Sequence, residues 1–186
     1  IYSLKIVEEV GAKHRSRAVL NNIGWSYYEM GDYDEALDYY NRLIKVEEEL
    51  DDMAWLPFSF NNIGIAYFQQ EDYKKALEYL DKSATIQIER DSTITLETMS
   101  YLFLSKKILG KEYNIAEIHT LIKQQDEIEH YINYTLFMLL EDTSYLEIAY
   151  NQVQGMADNL EPEVKVKFLN YPIPKVIIEE WEKLNN

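Results

Sequence analysis

Asn21-Asn22-Ile23-Gly24 recurs without change as Asn61-Asn62-Ile63-Gly64, at an offset of 40 in the numbering. The match continues toward the C-terminus without a gap. It pairs Tyr27 with Tyr67, Asp32-Tyr33 with Asp72-Tyr73, Ala36-Leu37 with Ala76-Leu77, and Tyr39 with Tyr79. Self-similarity at a fixed period of this length is typical of arrays built from one repeated structural unit.

The same register also extends toward the N-terminus. It pairs Lys5 with Lys45, Ile6 with Val46, Glu8-Glu9 with Glu48-Glu49, and Val10 with Leu50. The segment Ile1–Val10 therefore has the pattern of the second half of a unit whose first half is missing. Because this segment lacks a partner helix, its face is a candidate surface for self-association.

Each unit has the pattern of two helices. Between residues 17 and 30 the large apolar residues recur at helical rather than alternating spacing. Gly31-Asp32 interrupts the pattern, and Asp32 with Glu35 predicts an N-cap and its capping-box partner. The helix that follows is expected to bury Tyr33, Ala36, Leu37, Tyr40, Leu43 and Ile44.

Small residues recur where the two helices of a unit are expected to cross. Gly24 and Ala36 hold these positions in the first unit, and Gly64 and Ala76 hold them in the second. A small side chain lets two helices approach closely, whereas a larger one holds them apart. We therefore predict a tight helix pair in each unit.

The third unit is decayed. Tyr113 and Ala116 lie one period after Tyr73 and Ala76, but Leu104 replaces the glycine. Lys107 similarly replaces the tyrosine and Leu102 the asparagine. Apolar periodicity predicts helices at about 93–109, 113–125, 127–140 and 144–158, and the stretch from Pro172 to Trp181 predicts a turn and a short amphipathic helix. We expect a single domain divided as 1–16 (half repeat), 17–56, 57–92, 93–125 (degenerate repeat) and 126–186 (C-terminal helical cap).

The core positions of the two clear units resemble the tetratricopeptide repeat signature. They are Leu20, Ile23-Gly24, Tyr27, Tyr33, Ala36 and Tyr40, and then Phe60, Ile63-Gly64, Tyr67, Tyr73, Ala76 and Leu80. The period of 40 exceeds the usual length of about 34 residues, and it is similar to the longer repeats of kinesin light chains and bacterial peptide-pheromone receptors. The match covers residues 1–90. It implies an all-α fold, a right-handed superhelical array of antiparallel helix pairs with a concave groove.

Composition excludes several classes of function. The chain has 186 residues, 18 Lys and Arg against 33 Asp and Glu, and no cysteine. The net charge of −15 argues against nucleic acid and anionic membrane as partners. The absence of cysteine removes disulfides, thiolate-bound metals and thiol catalysis. The first residue, Ile1, indicates a piece of a longer or processed protein, for which we expect a cytoplasmic location.

No catalytic or metal-binding pattern is recognisable in the sequence. His14, His119 and His130 are scattered, and His130 is expected to pair with Asp126 on a helix surface. We therefore predict no enzyme activity, no metal and no cofactor. Ten acidic residues lie between Glu29 and Asp52, which indicates a solvated helix face or, alternatively, a surface that attracts a basic partner.

The resemblance also implies which residues line the groove, since the first helix of each tetratricopeptide repeat does so. Carried onto this chain, the positions are Ala18, Asn21, Asn22, Trp25, Tyr28 and Glu29, followed by Phe58, Asn61, Asn62, Ile65, Phe68 and Gln69. Amide side chains both donate and accept hydrogen bonds, which suits the backbone of an extended peptide. Trp25 is the candidate anchor. Two alternatives stay open: the asparagines bond only to neighbouring helices, or Trp25 packs between helices.

These patterns favour a protein- or peptide-binding scaffold region of a larger, regulatory protein. Its partner is expected to be a neutral or basic protein or peptide, because the groove positions lack the Lys and Arg needed to hold an acidic chain end. The first alternative is a peptide-sensing domain of a bacterial signalling or transcription regulator. The second is a self-association module.

Overall fold

The computed structural model describes residues 2–50, 54–90 and 93–185, with side chains described from residue 15 onward. The regular structure in these ranges consists of ten helices and no strand, which confirms the all-α prediction. The helices are α1 (Tyr2–Met30), α2 (Tyr33–Glu49), α3 (Leu56–Gln69), α4 (Tyr73–Glu89), α5 (Leu96–Ile108), α6 (Ile115–Ile122), α7 (His130–Leu140), α8 (Thr143–Asp158), α9 (Pro162–Leu169) and α10 (Pro172–Asn185).

The chain divides into two compact units, Ile1–Ile94 and Thr95–Asn186. The boundary lies close to residue 93, where the sequence places the start of the degenerate repeat. In the first unit α1 packs on α2, α3 packs on α4, and α2 also packs on α3. This is the consecutive pairing that a helical repeat array requires.

The helix α1 passes through the boundary that the sequence suggested at residue 16. It contains 29 residues without interruption, so the predicted half repeat 1–16 and the first helix of the next repeat share one axis. The side chains of residues 1–14, like the acidic pair Asp51-Asp52, lie outside the described residues.

The two units of the repeat share the same turn between their helices. The backbone N–H of Asp32 donates to the carbonyl of Tyr27 at 2.9 Å, and that of Asp72 donates to the carbonyl of Tyr67 at 3.0 Å. The preceding residue has a positive φ in both turns, 86° at Gly31 and 61° at Glu71. In the second turn Glu71 thus takes a left-handed backbone conformation, which Gly31 adopts without strain in the first.

Only one of the two turns carries the predicted N-cap. The carboxylate of Asp72 accepts a hydrogen bond from the backbone N–H of Lys75 at 3.2 Å. The side chain of Asp32 makes no capping hydrogen bond, so the capping box predicted for Asp32 and Glu35 is wrong. The difference is a side-chain rotation, because the backbone angles at Asp32 and Asp72 are nearly the same.

The predicted close approach of paired helices is confirmed, with a different contact from the one expected. A Cβ atom added at Gly24 would lie 2.7 Å from Cε1 of Tyr40, and one added at Gly64 would lie 2.7 Å from Cγ of Leu80. Ala36 is completely buried. The glycine of the first helix thus makes room for a large residue of the second, rather than for its alanine.

Burial in the second helix of each repeat follows the predicted stripe at most positions. Ala36, Leu37, Tyr40 and Leu43 are buried, whereas Tyr33 and Ile44 are only partly so. The tyrosines at repeat-core positions stack in pairs that recur with the period. The ring centroids are 5.5 Å apart for Tyr27 with Tyr39 and 5.6 Å apart for Tyr67 with Tyr79.

In the second unit the predicted helices occur with altered lengths. The helix α6 has only eight residues, and Ala116, aligned with the buried Ala76, is exposed. The helix α9 was not predicted, and α10 begins at Pro172 itself, where a turn was expected. Pro172 suits this place because proline at the start of a helix donates no hydrogen bond that the helix needs.

One core cluster of the second unit lies between α8 and α10. Its fully buried residues are Leu146, Ala149, Val153 and Ile177. Tyr150 and Trp181 stack beside them with ring centroids 5.3 Å apart. None of the helices in the described ranges has the length and apolar character needed to cross a membrane.

Candidate functional site

The residues that the sequence assigned to a groove lie on α1 and α3. Two side-chain hydrogen bonds join these helices, and a third contact joins α1 to Trp55, immediately before α3. The guanidinium carbon of Arg17 lies 4.8 Å from the ring centroid of Trp55. The Nδ2 atom of Asn62 donates to Oδ1 of Asn21 at 3.1 Å. Further along, Nε2 of Gln69 donates to the hydroxyl oxygen of Tyr28 at 3.3 Å. These contacts align the two helices along a surface that we call the α1–α3 face.

The predicted residues differ in their access to solvent. Asn22 and Phe58 are exposed, with Phe58 49% accessible. Five more are partly buried: Asn21, Trp25, Glu29, Asn62 and Gln69. The remaining four are buried: Tyr28, Asn61, Ile65 and Phe68. Seven of the predicted residues therefore keep some accessible surface, and the other four are buried.

The two repeat-equivalent asparagines have different environments. Asn62 bonds to Asn21 on the neighbouring helix, as the alternative in the sequence analysis stated. Asn22 holds the equivalent position in the first repeat, yet it is exposed. An exposed amide keeps its donor and acceptor capacity for a ligand.

Trp25 lies beside Tyr28 on α1. Its ring centroid is 5.2 Å from that of Tyr28, in a tilted arrangement. Tyr28 is only 3% exposed and also contacts the ring of Tyr33 at 5.7 Å. The partly exposed indole therefore rests on a buried aromatic layer, which limits its mobility.

The carboxylate of Glu29, on this face, is partly shielded from solvent. Burial raises the pKa of Glu29 above its ordinary value. The pKa of Tyr33 is also raised, first by burial and then by the charge of Glu29. A partly desolvated carboxylate is attracted to a cation that approaches it.

The structure adds one aromatic residue that the sequence analysis did not select. Trp55 immediately precedes α3 and is 47% exposed, and its ring centroid lies 5.5 Å from that of Phe58. Its position, shortly before a predicted groove residue, was the available signal. It was missed because only positions inside the first helix were carried over from the resemblance.

Residues 18–50 and 57–87 match the family model of the tetratricopeptide repeat. These two segments are tetratricopeptide repeats. The first repeat comprises α1 from residue 18 onward together with α2, and the second repeat comprises most of α3 and α4. Neither curated protein sequences nor solved structures gave a match to the chain.

Tetratricopeptide repeats generally mediate protein–protein interactions and serve as non-catalytic scaffolds. Since α1 and α3 are the first helices of the two tetratricopeptide repeats, the α1–α3 face is built from those first helices.

No group of three or more His, Asp or Glu side chains in the described part of the chain could hold a metal ion.

The predicted pairing of His130 with Asp126 on a helix surface is wrong. Asp126 precedes α7 in a non-helical segment, whereas His130 is the first residue of that helix, so the two do not share a helix face. His130 is 8% exposed, its Nδ1 atom has no hydrogen-bond partner, and burial lowers its pKa. It is a neutral residue of the interior near Tyr131.

Proposed function

We propose that the α1–α3 face binds an extended segment of a partner protein, and that this chain is the interaction scaffold of a larger regulatory protein. The observation that carries the proposal is the set of three contacts that α1 makes through Arg17, Asn21 and Tyr28, one with Trp55 just before α3 and two with α3 itself. They hold the exposed residues of two helices as one continuous surface. A peptide that lies on it does not need to order it first.

The length of the face sets the length of the ligand. Arg17 and Glu29 are twelve positions apart on one helix, which corresponds to about 18 Å. An extended chain covers that distance with about five or six residues. Exposed aromatic side chains lie toward one end, at Trp55 and Phe58, and Trp25 with Glu29 lies toward the other.

The charges of the face favour a neutral or basic segment. Glu29 is partly desolvated, and a cationic side chain at that end of the ligand would stabilise its ionised form. The net charge of −15 attracts basic ligands at long range as well. An acidic ligand would gain only the contact with Arg17.

Trp25 is the proposed anchor of the ligand. It combines partial exposure with a rigid aromatic support, so it can bury a large area at a small cost in side-chain entropy. Asn22 would bond the ligand backbone, since its amide faces solvent. The peptide-sensing alternative uses the same face and stays a prediction, because it requires an attached effector domain.

Fluorescence anisotropy with three labelled peptide pools tests the proposal. The pools have equal length and aromatic content and are rich in Lys, in Gln or in Glu. We expect affinity to fall in that order, and the preference for Lys to weaken with salt. Glu29→Gln should reduce the preference for Lys, whereas Glu48→Gln, an exposed change on α2, should not.

The pH dependence gives a second test. Because the folded pKa of Glu29 is raised, its ionised form opposes folding, so Glu29→Gln should not lower stability at neutral pH. Binding of the Lys-rich pool should strengthen as the pH rises through that pKa. Tightest binding of the Glu-rich pool, or no binding of any pool, would contradict the proposed function.

A further inference from the structure

A second surface of the first unit is apolar and open. A shallow depression of about 580 Å³ is lined by Val19, Leu20, Ile23 and Tyr39, with Arg15 and Arg42 supplying two positive charges. Val19 is 55% exposed although it belongs to a helix with buried neighbours. The apolar part of this surface is small, and its significance comes from the comparison with the second repeat, where the equivalent residues are covered.

The second repeat shows what covers the equivalent surface. Ser59 and Ile63, the repeat equivalents of Val19 and Ile23, are 2% and 0% exposed. There α2 packs on α3, and Oγ of Ser59 donates to the two carboxylate oxygens of Glu47 at 3.0 and 2.9 Å. The covering element is the second half of α2.

The sequence of that covering element recurs one period earlier in the chain. Lys5–Val10 corresponds to Lys45–Leu50, and Val7 stands where α2 has Glu47. Val19 likewise stands where α3 has Ser59. Valine thus replaces both members of the hydrogen-bonded pair Glu47–Ser59. Val7 and Val19 match each other as an apolar pair, where the second repeat has a polar one. Residues 2–10 therefore carry a sequence pattern that complements the depression.

The continuous course of α1 keeps this segment away from the depression of its own chain. In the second repeat the chain reverses before α3, which brings Glu47 and Ser59 into contact. In α1 there is no reversal, and Val7 and Val19 are twelve positions apart on one helix, about 18 Å along the axis. A helix cannot fold onto its own side without a turn.

We propose that residues Tyr2–Val10 of a second copy of this chain pack in the depression, and that the two copies exchange this segment reciprocally. Such an exchange is a closed, two-fold arrangement in which each copy supplies both surfaces. Arg15 and Arg42 border the depression, and Glu8 and Glu9 follow Val7 in the sequence of the incoming segment.

Sedimentation equilibrium over a dilution series tests the exchange. The wild-type chain should show a mass twice the 22.1 kDa of one copy. Val7→Glu places a carboxylate against Val19 without a donor, which should raise the dimer dissociation constant at least about tenfold. Adding Val19→Ser recreates the Glu47–Ser59 pair and should recover most of the lost affinity.

A surface change elsewhere provides the control. Val166→Glu alters a 63% exposed valine of α9 and should leave the mass unchanged. A wild-type chain that stays monomeric at every concentration would overturn the proposal, as would a dimer insensitive to Val7→Glu. A monomer whose melting temperature falls with Val7→Glu would place the segment on its own chain instead, which also overturns the exchange. Failure of peptide binding on the α1–α3 face leaves these readouts unaffected.

Discussion

Asn62 donates a hydrogen bond to Asn21 across α1 and α3, although the two residues are 41 positions apart in a repeat of 40. The same one-residue offset joins Gln69 to Tyr28. Neighbouring repeats are thus joined between successive positions of the motif rather than between identical ones. Asn62 is engaged by its neighbour on α1, whereas its repeat equivalent, Asn22, is exposed.

Replacement of Asn62 should therefore affect stability more than replacement of Asn22. Asn62→Ala removes a partly buried hydrogen bond and should cost about 0.5–1.5 kcal/mol of unfolding free energy. Asn22→Ala, at an exposed position, should change it by less than about 0.5 kcal/mol. Urea denaturation measures both. Equal losses for the two variants would contradict the assigned difference in environment.

Trp25→Ala should weaken ligand binding more than it weakens the fold. Loss of an interface anchor costs about 2 kcal/mol or more of binding energy. The loss in stability should stay below the roughly 3–5 kcal/mol of a fully buried tryptophan, because Trp25 is only partly buried. Trp181→Ala, at a partly buried position packed against the α8–α10 core beside Tyr150, should lower stability and leave ligand binding unchanged. If Trp25→Ala destabilises as much as Trp181→Ala, the residue belongs to the core.

Added bulk at Gly64 should destabilise the second repeat. A Cβ atom there would lie 2.7 Å from Cγ and 3.2 Å from the backbone nitrogen of Leu80, so Gly64→Val should cost roughly 1–3 kcal/mol. Gly155→Ala is the matched control, because an added Cβ meets nothing within 4 Å in the interior of α8. That change should raise stability by about 0.5–1 kcal/mol. Thermal unfolding of a Gly64→Val variant at the wild-type temperature would show that the helices tolerate separation.

Lys107 should stabilise the end of α7. Its Nζ atom donates to the carbonyls of Met138 and Leu139, both at 3.0 Å, and to the carboxylate of Glu141 at 2.7 Å. Lys107→Met leaves these carbonyls without their charged donor and should cost roughly 1–3 kcal/mol. Lys111→Met, at an exposed position, is the control and should be nearly neutral.

The contribution of Lys107 should also depend on pH in a defined direction. Its hydrogen bond and positive charge hold the pKa of Glu141 below the ordinary value. The stabilisation from this pair is present above the unfolded-state pKa and is lost as the pH falls through the folded one. The stability difference between wild type and Lys107→Met should therefore shrink in acid, which denaturation between about pH 7 and about pH 3 measures. A difference that grows in acid would contradict this assignment.

Part of the α1–α3 face could be predicted from the repeat alone, because equivalent helix positions point to the same side of an array. Which positions line it, Trp25 and Glu29 among them, is implied by the resemblance to the tetratricopeptide repeat. Trp55 lies outside the helix and was therefore missed. Burial of Ile65 and Phe68 could not be predicted, since it depends on residues distant in the sequence.

The sequence by itself determined the all-α class, the two tetratricopeptide repeats and the tight approach at Gly24 and Gly64. These follow from the spacing of apolar and small residues along one or two helical turns, which is local information. Only the tertiary structure decided that α1 continues past residue 16 and that equivalent asparagines differ in exposure. The physical reason is that the burial of a residue depends on its contacts with neighbouring helices, and the two repeats have different neighbours. The open surface at Val19 and the covered one at Ser59 are the result.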